Sequence, residues 1–264
     1  MKHKLVMASL LVALFISSLA HSSKFPSEFL KGLEFFEQEK YLEAYEIFLQ
    51  ISKDGDYYAQ YALATMYEKG LGIDPNDEEA LRWYRAAAEQ DYLFAQIALA
   101  EIYDGKDDAE AARWYRAAAE KGHAIAQINL AIMYKEGRGI PQNYAEAARL
   151  NRAAAEKGFP SAQHNLALMY RDGKGVTQNY AEAARWFRAA AEQGNTSAQG
   201  SLGAAYATGR GVIENYVEAH KWLNIAASQG HQLAVELRNE LAKIMTPAQI
   251  QEAQRLAQEW VNSR

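Results

Sequence analysis

The stretch AARWYRAAAEKG at residues 111–122 decides the fold, because copies of it recur along the chain. Three further copies share its frame: ALRWYRAAAEQD (80–91), AARLNRAAAEKG (147–158) and AARWFRAAAEQG (183–194). Weaker copies end at Gly55 and Gly230, and the closing residues of the six copies lie 36 residues apart except for one step of 31. A period of this length indicates a protein built from stacked structural repeats.

A second apolar pattern follows each of these copies. In AIAQINLAIMY (124–134) the apolar or small residues stand at helical spacing: Ala126, Leu130, Met133 and Tyr134. Neither segment alternates with period two, so both are predicted to be helices and the unit to be a helical hairpin. Because a single hairpin cannot bury its own apolar faces, the hairpins must stack, and the chain is predicted to be an all-α solenoid.

Capping signals flank the Arg-rich helices. An Asn or Asp is followed three residues later by Glu, as at Asn143 and Glu146, which predicts a capping box. The closing glycines are suited to left-handed C-caps. Arg116 and Glu120 stand four residues apart, so we expect an ion pair on the helix surface.

The first twenty residues, MKHKLVMASLLVALFISSLA, have a basic start, a short apolar run and a small-residue cleavage pattern. This predicts a secretory signal peptide cut near Ala20/His21, with an uncleaved membrane anchor as the alternative. The expected location is therefore periplasmic or secreted, with no membrane span after cleavage.

The remaining flanks predict two hairpins. In the segment 24–54, one helix face carries Phe29, Leu33 and Phe36. In the segment 230–264, Thr246-Pro247 is a strong helix start. The helix that it opens is expected to cover the last repeat with one stripe: Ile250, Ala253, Ala257 and Trp260.

Composition excludes several classes of protein. The net charge of -5 disfavours a general nucleic-acid binder, and the absence of cysteine excludes disulfides and thiol chemistry. No Ser-x-x-Lys or Lys-Thr-Gly motif supports a β-lactam enzyme, and the scattered histidines lack the local pair typical of zinc sites. We therefore predict neither catalysis nor a cofactor or metal. His123 and His231 follow closing glycines, where a solvated loop residue is expected.

The combined pattern A-Q-x-x-L-x-x-x-Y-x-x-G-x-G, a connection, and A-x-x-W-[YF]-R-A-A-A-E-x-G resembles the Sel-one-like repeat (SLR), a relative of the tetratricopeptide repeat. The resemblance covers residues 55–229 as five repeats, the second of them shortened. It implies a right-handed superhelix whose AQxxLxxxY helices line a concave face. It also implies an interaction scaffold of the bacterial envelope that binds a peptide or helix of a protein partner.

Three departures from the repeat pattern are expected to alter the structure locally. Repeat two lacks five residues between Tyr103 and Asp107, which predicts a tight turn. Leu150-Asn151 replaces the usual Trp-Tyr, so Asn151 needs a polar partner. Asp91 stands where glycine is usual, which predicts an altered cap.

Comparing the five inner helices separates scaffold from site. Recurring residues such as Ala59, Gln60 and Leu63 are those required for stacking, whereas the concave positions vary. The varying positions predicted to bind the partner are Tyr58, Tyr61, Phe94, Ile97, Glu101, Ile128, Lys135, His164 and Arg171. Two alternatives stay open: the aromatic residues could pack against the preceding hairpin, or the convex face could bind. Alternative functions are a structural component of polysaccharide export or cell-wall assembly, and a binder of small molecules or peptidoglycan fragments or a β-lactam-related enzyme.

Overall fold

The computed structural model describes residues 26–263 of the chain, so the predicted signal peptide lies outside the described residues. Within these residues there are fourteen α-helices and no strand. They divide into two compact units that meet in sequence at Glu101 and Ile102. Each unit is a series of antiparallel helical hairpins.

The first unit begins with α1 (Ser27–Glu37), α2 (Tyr41–Lys53), α3 (Tyr57–Lys69) and α4 (Asp77–Glu89), and α5 (Leu93–Tyr103) begins in it. Each of the first three helices packs on the next. Phe29, Leu33 and Phe36 are buried on one face of α1, as the sequence predicts.

The second unit holds nine helices whose ends follow the repeat closely. They are α6 (Asp108–Glu120), α7 (Ala124–Glu136), α8 (Tyr144–Glu156), α9 (Pro160–Asp172), α10 (Tyr180–Glu192), α11 (Thr196–Thr208), α12 (Tyr216–Ser228), α13 (Gln232–Ala242) and α14 (Pro247–Asn262). Consecutive helices from α6 to α13 pack on one another, and α14 packs on α12.

Small and aromatic side chains fill the interfaces between these helices. Ala154 and Ala190 are fully buried, and the Trp186 and Phe187 rings belong to the same apolar cluster. Alanine permits close helix approach while keeping a high helix propensity, and the rings fill the wider spaces beside it.

The recurring glutamine holds each inner helix to the Arg-rich helix before it. The Gln163 side-chain amide donates to the carbonyl of Ala155 at 3.2 Å, and Gln199 donates to Ala191 at the same distance. These amides are buried, and each gives a second hydrogen bond to a carbonyl at a helix end that also accepts from the amide of the closing glycine. The recurrence of glutamine therefore has a structural cause.

The second glycine of the G-x-G turn is needed for close backbone contact. At Gly175, φ is +73°, and a Cβ atom would lie 2.0 Å from the carbonyl oxygen of Tyr144 at the start of α8. Only glycine tolerates both conditions. Each G-x-G turn thus packs on the helix start of the preceding repeat.

The predicted departures have clear local structures. Between Tyr103 and Asp108 the chain makes a tight turn, in which the amide of Asp107 donates to the Tyr103 carbonyl at 2.8 Å. The altered cap predicted at Asp91 is not found, because Asp91 adopts φ +69°, the left-handed conformation that glycine has in the other repeats. Asn151 is buried and does have a polar neighbour, since the Asn165 amide donates to its oxygen at 3.5 Å.

Two predictions about the Arg-rich helices were wrong in detail. Asn143 caps α8 by accepting from the backbone of Glu146, but the Glu146 carboxylate binds Arg149 instead of completing a capping box. Arg116 donates to the hydroxyl of Tyr134 at 3.1 Å, whereas the ion pairs of these helices join residues three apart. A guanidinium that reaches a phenol oxygen is thereby held to the neighbouring helix.

The histidines after the closing glycines are also not simple solvated loop residues. Both are half-buried N-caps: the Nδ1 atom of His123 accepts from the amide of Ala126 at 3.3 Å, and that of His231 accepts from Ala234 at 3.2 Å. Asp56 and Asn195 cap their helices at the equivalent positions. Histidine is therefore used here for its acceptor nitrogen.

The carboxyl-terminal helix covers α12. Thr246 and Gln249 form a complete capping box at its start. Ala253 and Ala257 are buried, and the Trp260 ring meets that of Trp222 edge-on, with centroids 5.7 Å apart. The predicted stripe is therefore the packed face of α14.

Among residues 26–263, no helix combines the length and the apolar character needed to cross a membrane.

Candidate functional site

The nine residues predicted to bind a partner fall into both units. Five belong to the first unit: Tyr58, Tyr61, Phe94, Ile97 and Glu101. Four belong to the second unit: Ile128, Lys135, His164 and Arg171. Each unit gathers some of its own predicted residues around one feature.

In the first unit that feature is a group of five rings, here called the aromatic cluster: Tyr57, Tyr58, Tyr61, Tyr92 and Phe94. Tyr92 lies at its centre, with ring centroids 5.3 to 5.6 Å from those of the other four. All five side chains are half-buried, so each keeps part of its surface exposed. The cluster offers a partly exposed apolar surface with hydroxyl groups.

Part of the aromatic cluster supports the hairpin packing. The Tyr58 ring lies 5.5 Å from that of Phe29 in α1, which belongs to the preceding hairpin. Tyr61 lies 5.5 Å from Tyr84 in α4. The alternative, packing against the preceding hairpin, thus applies to Tyr58, whereas Tyr61 packs on the following helix. The ring contacts of Phe94 in the described residues are with rings of the cluster.

Acidic groups stand next to the aromatic cluster. Burial raises the pKa of Tyr61 to about 12, and the Glu68 and Glu101 carboxylates add to this effect. The pKa of Glu101 is itself raised, first by partial desolvation and then by Glu68. Thr65 is the residue of the preceding inner helix equivalent to Glu101, so it was also expected on the concave face. It is instead buried, and its hydroxyl is hydrogen-bonded to that of Tyr84.

In the second unit the feature is a cavity of about 490 Å³ between α9, α10, α11 and α13, here called the basic-rimmed cavity. Its walls include the ring of Phe187 and the side chains of Leu233 and Leu237. Two of the predicted residues, His164 and Arg171, line it. The remaining surface comes mainly from alanine, glycine and serine residues of α10 and α11, which leave the space open.

The charges of the basic-rimmed cavity are all positive. Arg171 and Arg210 line it, and no carboxylate is among its lining residues. Arg171 donates to its neighbour Asp172 at 2.7 and 3.1 Å, which neutralises part of its charge. Arg210 lies over the Tyr180 ring at 5.7 Å and has no ion pair within the described chain. An anion at the rim would therefore gain most from Arg210.

His164 is neutral in the basic-rimmed cavity at pH 7. Its pKa is lowered to about 4, mainly by burial and to a smaller extent by the charges of Arg171 and His231. Its ring lies 5.7 Å from that of Phe187. A neutral imidazole keeps one donor and one acceptor nitrogen, so His164 can offer a hydrogen bond without adding charge.

The other predicted residues lie outside these two features. Ile128 packs against the apolar core of the second unit. Lys135 is exposed, lies 3.5 Å from Glu136 and lines a smaller cavity. Ile97 is half-buried. No contact of Ile97 or Ile128 gives either a role beyond packing.

Sequence comparison of the inner helices missed several residues of both features. These are Tyr92 in the aromatic cluster, and Arg210, His231, Leu233 and Leu237 at the basic-rimmed cavity. A signal for Tyr92 existed, because it replaces the capping residue found at most equivalent positions. Leu233 and Leu237 belong to α13, outside the compared copies, so their position depends on how the last hairpin packs.

Known proteins share this architecture. The family described as Sel1 repeat matches in five copies, at residues 58–92, 93–123, 124–159, 160–195 and 196–231. A protective antigen of uropathogenic Escherichia coli with an SLR fold is 36% identical over 84% of this chain, with a TM-score of 0.71. This chain covers 49% of that antigen, so it spans about half its length.

A Sel1 repeat protein from Oxalobacter formigenes is 30% identical, with a TM-score of 0.69, over 88% of this chain and 97% of the other. No curated protein matches the sequence. The matched repeats and the similar folds confirm the predicted fold class, an all-α solenoid of helical hairpins.

Proposed function

Because this chain belongs to the Sel1-repeat family, we propose that it is a non-enzymatic scaffold of the bacterial envelope that binds a segment of a partner protein. Sel1-repeat proteins generally mediate protein–protein interactions. The aromatic cluster and the basic-rimmed cavity support the binding of a peptide or helix on the inner helices.

One observation supports this proposal: inner-helix leucines that recur between repeats are buried, whereas several residues that vary, apart from the buried Thr65, line the open surfaces. Leu166 and Leu202 recur and are fully buried. His164, Arg171 and Ser197 occupy varying positions and line the basic-rimmed cavity. Side chains that stacking does not constrain are free to differ according to what they bind.

The chemistry of the basic-rimmed cavity favours a particular partner segment. Leu233, Leu237 and Phe187 form apolar walls, and the arginines provide charge at the edge. A segment with an apolar side chain beside a carboxylate would match both properties. Because the whole chain has a net charge of -5, an acidic segment would be attracted to this local positive site in preference to the rest of the surface.

The envelope location is part of the same proposal. It is supported by the basic and apolar pattern of residues 1–20. Fractionation of cells that express the tagged full chain tests it, with the tag at the carboxyl terminus. Recovery in the cytoplasm without amino-terminal processing would contradict it.

The binding proposal is tested by cross-linking followed by affinity purification from cell-envelope extract. Leu233 is 56% exposed and lines the cavity, so Leu233→Asp combined with Arg210→Glu should remove most of the captured partner and leave the thermal unfolding curve cooperative. The matched control is Ile213→Asp, because Ile213 is 89% exposed and outside the cavity. Equal capture by the double variant and the control would place the binding site elsewhere.

A further inference from the structure

A second cavity lies where one repeat lacks an aromatic ring. The residue equivalent to Asn151 is aromatic in three other Arg-rich helices: Tyr84, Tyr115 and Phe187. All three rings are buried. Asn151 is 4% exposed but has no ring, and a cavity of about 290 Å³ adjoins it. We call this space, between α7, α8 and α9, the Asn151 cavity.

The position of the Asn151 cavity corresponds to that of the rings. In the first unit, the Tyr84 hydroxyl donates to the carboxylate of Glu68, sixteen residues earlier, at 2.7 Å. Lys135 stands sixteen residues before Asn151 and lines the cavity. A ring placed in this cavity would therefore point to the same inner-helix position as Tyr84 does.

The Asn151 cavity has a buried floor and an accessible mouth. Ala131 and Met169 are buried at the floor together with Asn151. Ile132 and Leu168 are half-buried and line the cavity from the two inner helices. A planar ring that enters between these two side chains would contact apolar atoms on both faces.

The floor of the cavity presents a hydrogen-bond acceptor. The Asn151 amide nitrogen donates to the carbonyl of Ala147 at 3.0 Å, so the orientation of the side chain is set. Among the residues that the structure describes, its oxygen accepts only from Asn165, at the long distance of 3.5 Å. A carboxamide oxygen has two lone pairs, so this one can accept a further donor such as a phenol hydroxyl.

Charge at the mouth favours an anionic neighbour. Lys135 and Lys174 both line the cavity, against the single carboxylate of Asp172. Asp172 already accepts two hydrogen bonds from Arg171, at 2.7 and 3.1 Å. Lys135 has an exposed pairing with Glu136 at 3.5 Å, which contributes little in water. Lys174 lies over the Tyr144 ring at 5.6 Å, an exposed contact that still lets its ammonium group, like that of Lys135, meet a carboxylate of a ligand.

We propose that the Asn151 cavity binds a tyrosine side chain from an acidic segment of the partner protein. The ring fills the space that an intramolecular ring fills in the other repeats, and its hydroxyl donates to the Asn151 oxygen. Carboxylates on either side of the tyrosine meet Lys135 and Lys174. The inference rests on the proposed function, since it assumes that the ligand is a protein segment.

The test uses the full chain and the tripeptide acetyl-Glu-Tyr-Glu-amide, with binding followed by NMR at the side-chain amide of Asn165. Saturable shifts are expected. Replacing tyrosine by alanine in the peptide should weaken binding by about tenfold or more, because a buried ring is lost. Replacing it by phenylalanine should weaken binding by about fivefold, the value of one hydrogen bond of about 1 kcal/mol. Equal binding of the alanine peptide overturns the proposal.

Asn151→Tyr supplies the missing ring from within and should abolish saturable binding while unfolding stays cooperative. The matched control is Leu150→Trp, which restores the adjacent residue of the repeat pattern and lies outside the cavity lining, so its binding should equal that of the unchanged chain. Unchanged binding by Asn151→Tyr overturns the proposal. Should that variant fail to fold, Lys135→Glu with Lys174→Glu alters only exposed residues. It should weaken peptide binding by about tenfold, and undiminished binding overturns the proposal.

Capture of the cross-linked partner separates this proposal from the proposed function. If Asn151→Tyr captures the partner as well as Leu150→Trp does, the tyrosine site is refuted, while the scaffold function stands. Loss of capture by Asn151→Tyr but not by Leu150→Trp supports the site. Absence of any captured partner for the unchanged chain contradicts the scaffold function, whereas tripeptide binding still reports on the cavity alone.

Discussion

Single residues in this chain differ in function according to whether their position recurs. Gln163 recurs and joins two helices through a buried hydrogen bond. His164, its neighbour, varies between repeats and faces an open cavity. Gln163 is buried, so of these two adjacent residues only His164 is available for binding. Burial of the His164 ring makes its protonation unfavourable, so the stability of the protein depends on pH.

Acidification should destabilise the protein through His164. Its pKa is lowered to about 4 from 6.5, so the unfolded chain binds the proton more tightly, and stability falls as pH decreases from about 6.5 to about 4. At pH 5.5 the loss should be about 1 kcal/mol. Thermal unfolding of His164→Gln, compared with the unchanged chain, should show a smaller difference between pH 7.5 and 5.5.

His123 and His220 also have lowered pKa values, for which burial is the main cause. They should contribute equally to both proteins and leave some pH dependence in the variant. An identical pH dependence of the two unfolding curves would show that His164 is not the neutral buried group described above.

At the scale of helices, glutamine pairs connect successive repeats. Gln193 donates to the side-chain oxygen of Gln163 at 2.8 Å, and Gln229 donates to that of Gln199 at 2.7 Å. Thirty residues after Gln127 the chain has Lys157, which donates to the carbonyl of Gly122 instead. The Gln127 oxygen is consequently buried with no partner in the described residues.

Lys157→Gln should therefore stabilise the protein. The new amide would donate to the Gln127 oxygen and remove a buried unsatisfied acceptor, for a gain of about 1 kcal/mol. In a domain of this size the melting temperature should rise by about 2–4 °C. Lys174→Gln is the control for loss of an exposed positive charge. An equal rise in the melting temperature of the control would show that the effect comes from the lost charge and not from the new hydrogen bond.

The helices were predictable because their repeated caps and apolar spacing are local properties of the sequence. The tight turn after Tyr103 followed from the same alignment of copies, whereas the altered cap expected at Asp91 was wrong, because Asp91 keeps the left-handed conformation of the glycine that it replaces. The basic-rimmed cavity was predictable only in part, through His164 and Arg171. Its far wall depends on how α13 packs, and no repeat supplies a second example of that contact. The aromatic cluster could not be predicted in full, because its central residue, Tyr92, lies just before an inner helix and outside the positions that were compared.

At the scale of the second unit, stability depends on neighbouring helices and on a covered end. Repeat proteins gain their stability from interfaces between adjacent units, so an uncovered terminal unit unfolds most readily. Here α14 protects the apolar face of α12, where Trp222 is 4% exposed.

Trp260→Ala should loosen this end of the unit. Removal of the half-buried indole should cost about 2–3 kcal/mol, since large aromatic truncations in fully buried sites cost about 3–5 kcal/mol. Hydrogen exchange should accelerate first in α12, α13 and α14, while α8 keeps its protection. Uniform acceleration across all helices from α6 to α14 would indicate a single cooperative unit without a weak end.

The arrangement of the two cavities also restricts the sequence of a ligand that fills both. The Asn151 cavity and the basic-rimmed cavity belong to successive repeats, and both are lined by residues of α9. In an extended segment alternate side chains point to the same face, so a tyrosine in one cavity and an apolar residue in the other must lie an even number of positions apart. Insertion of one residue between these two anchors would turn one of them away from the protein.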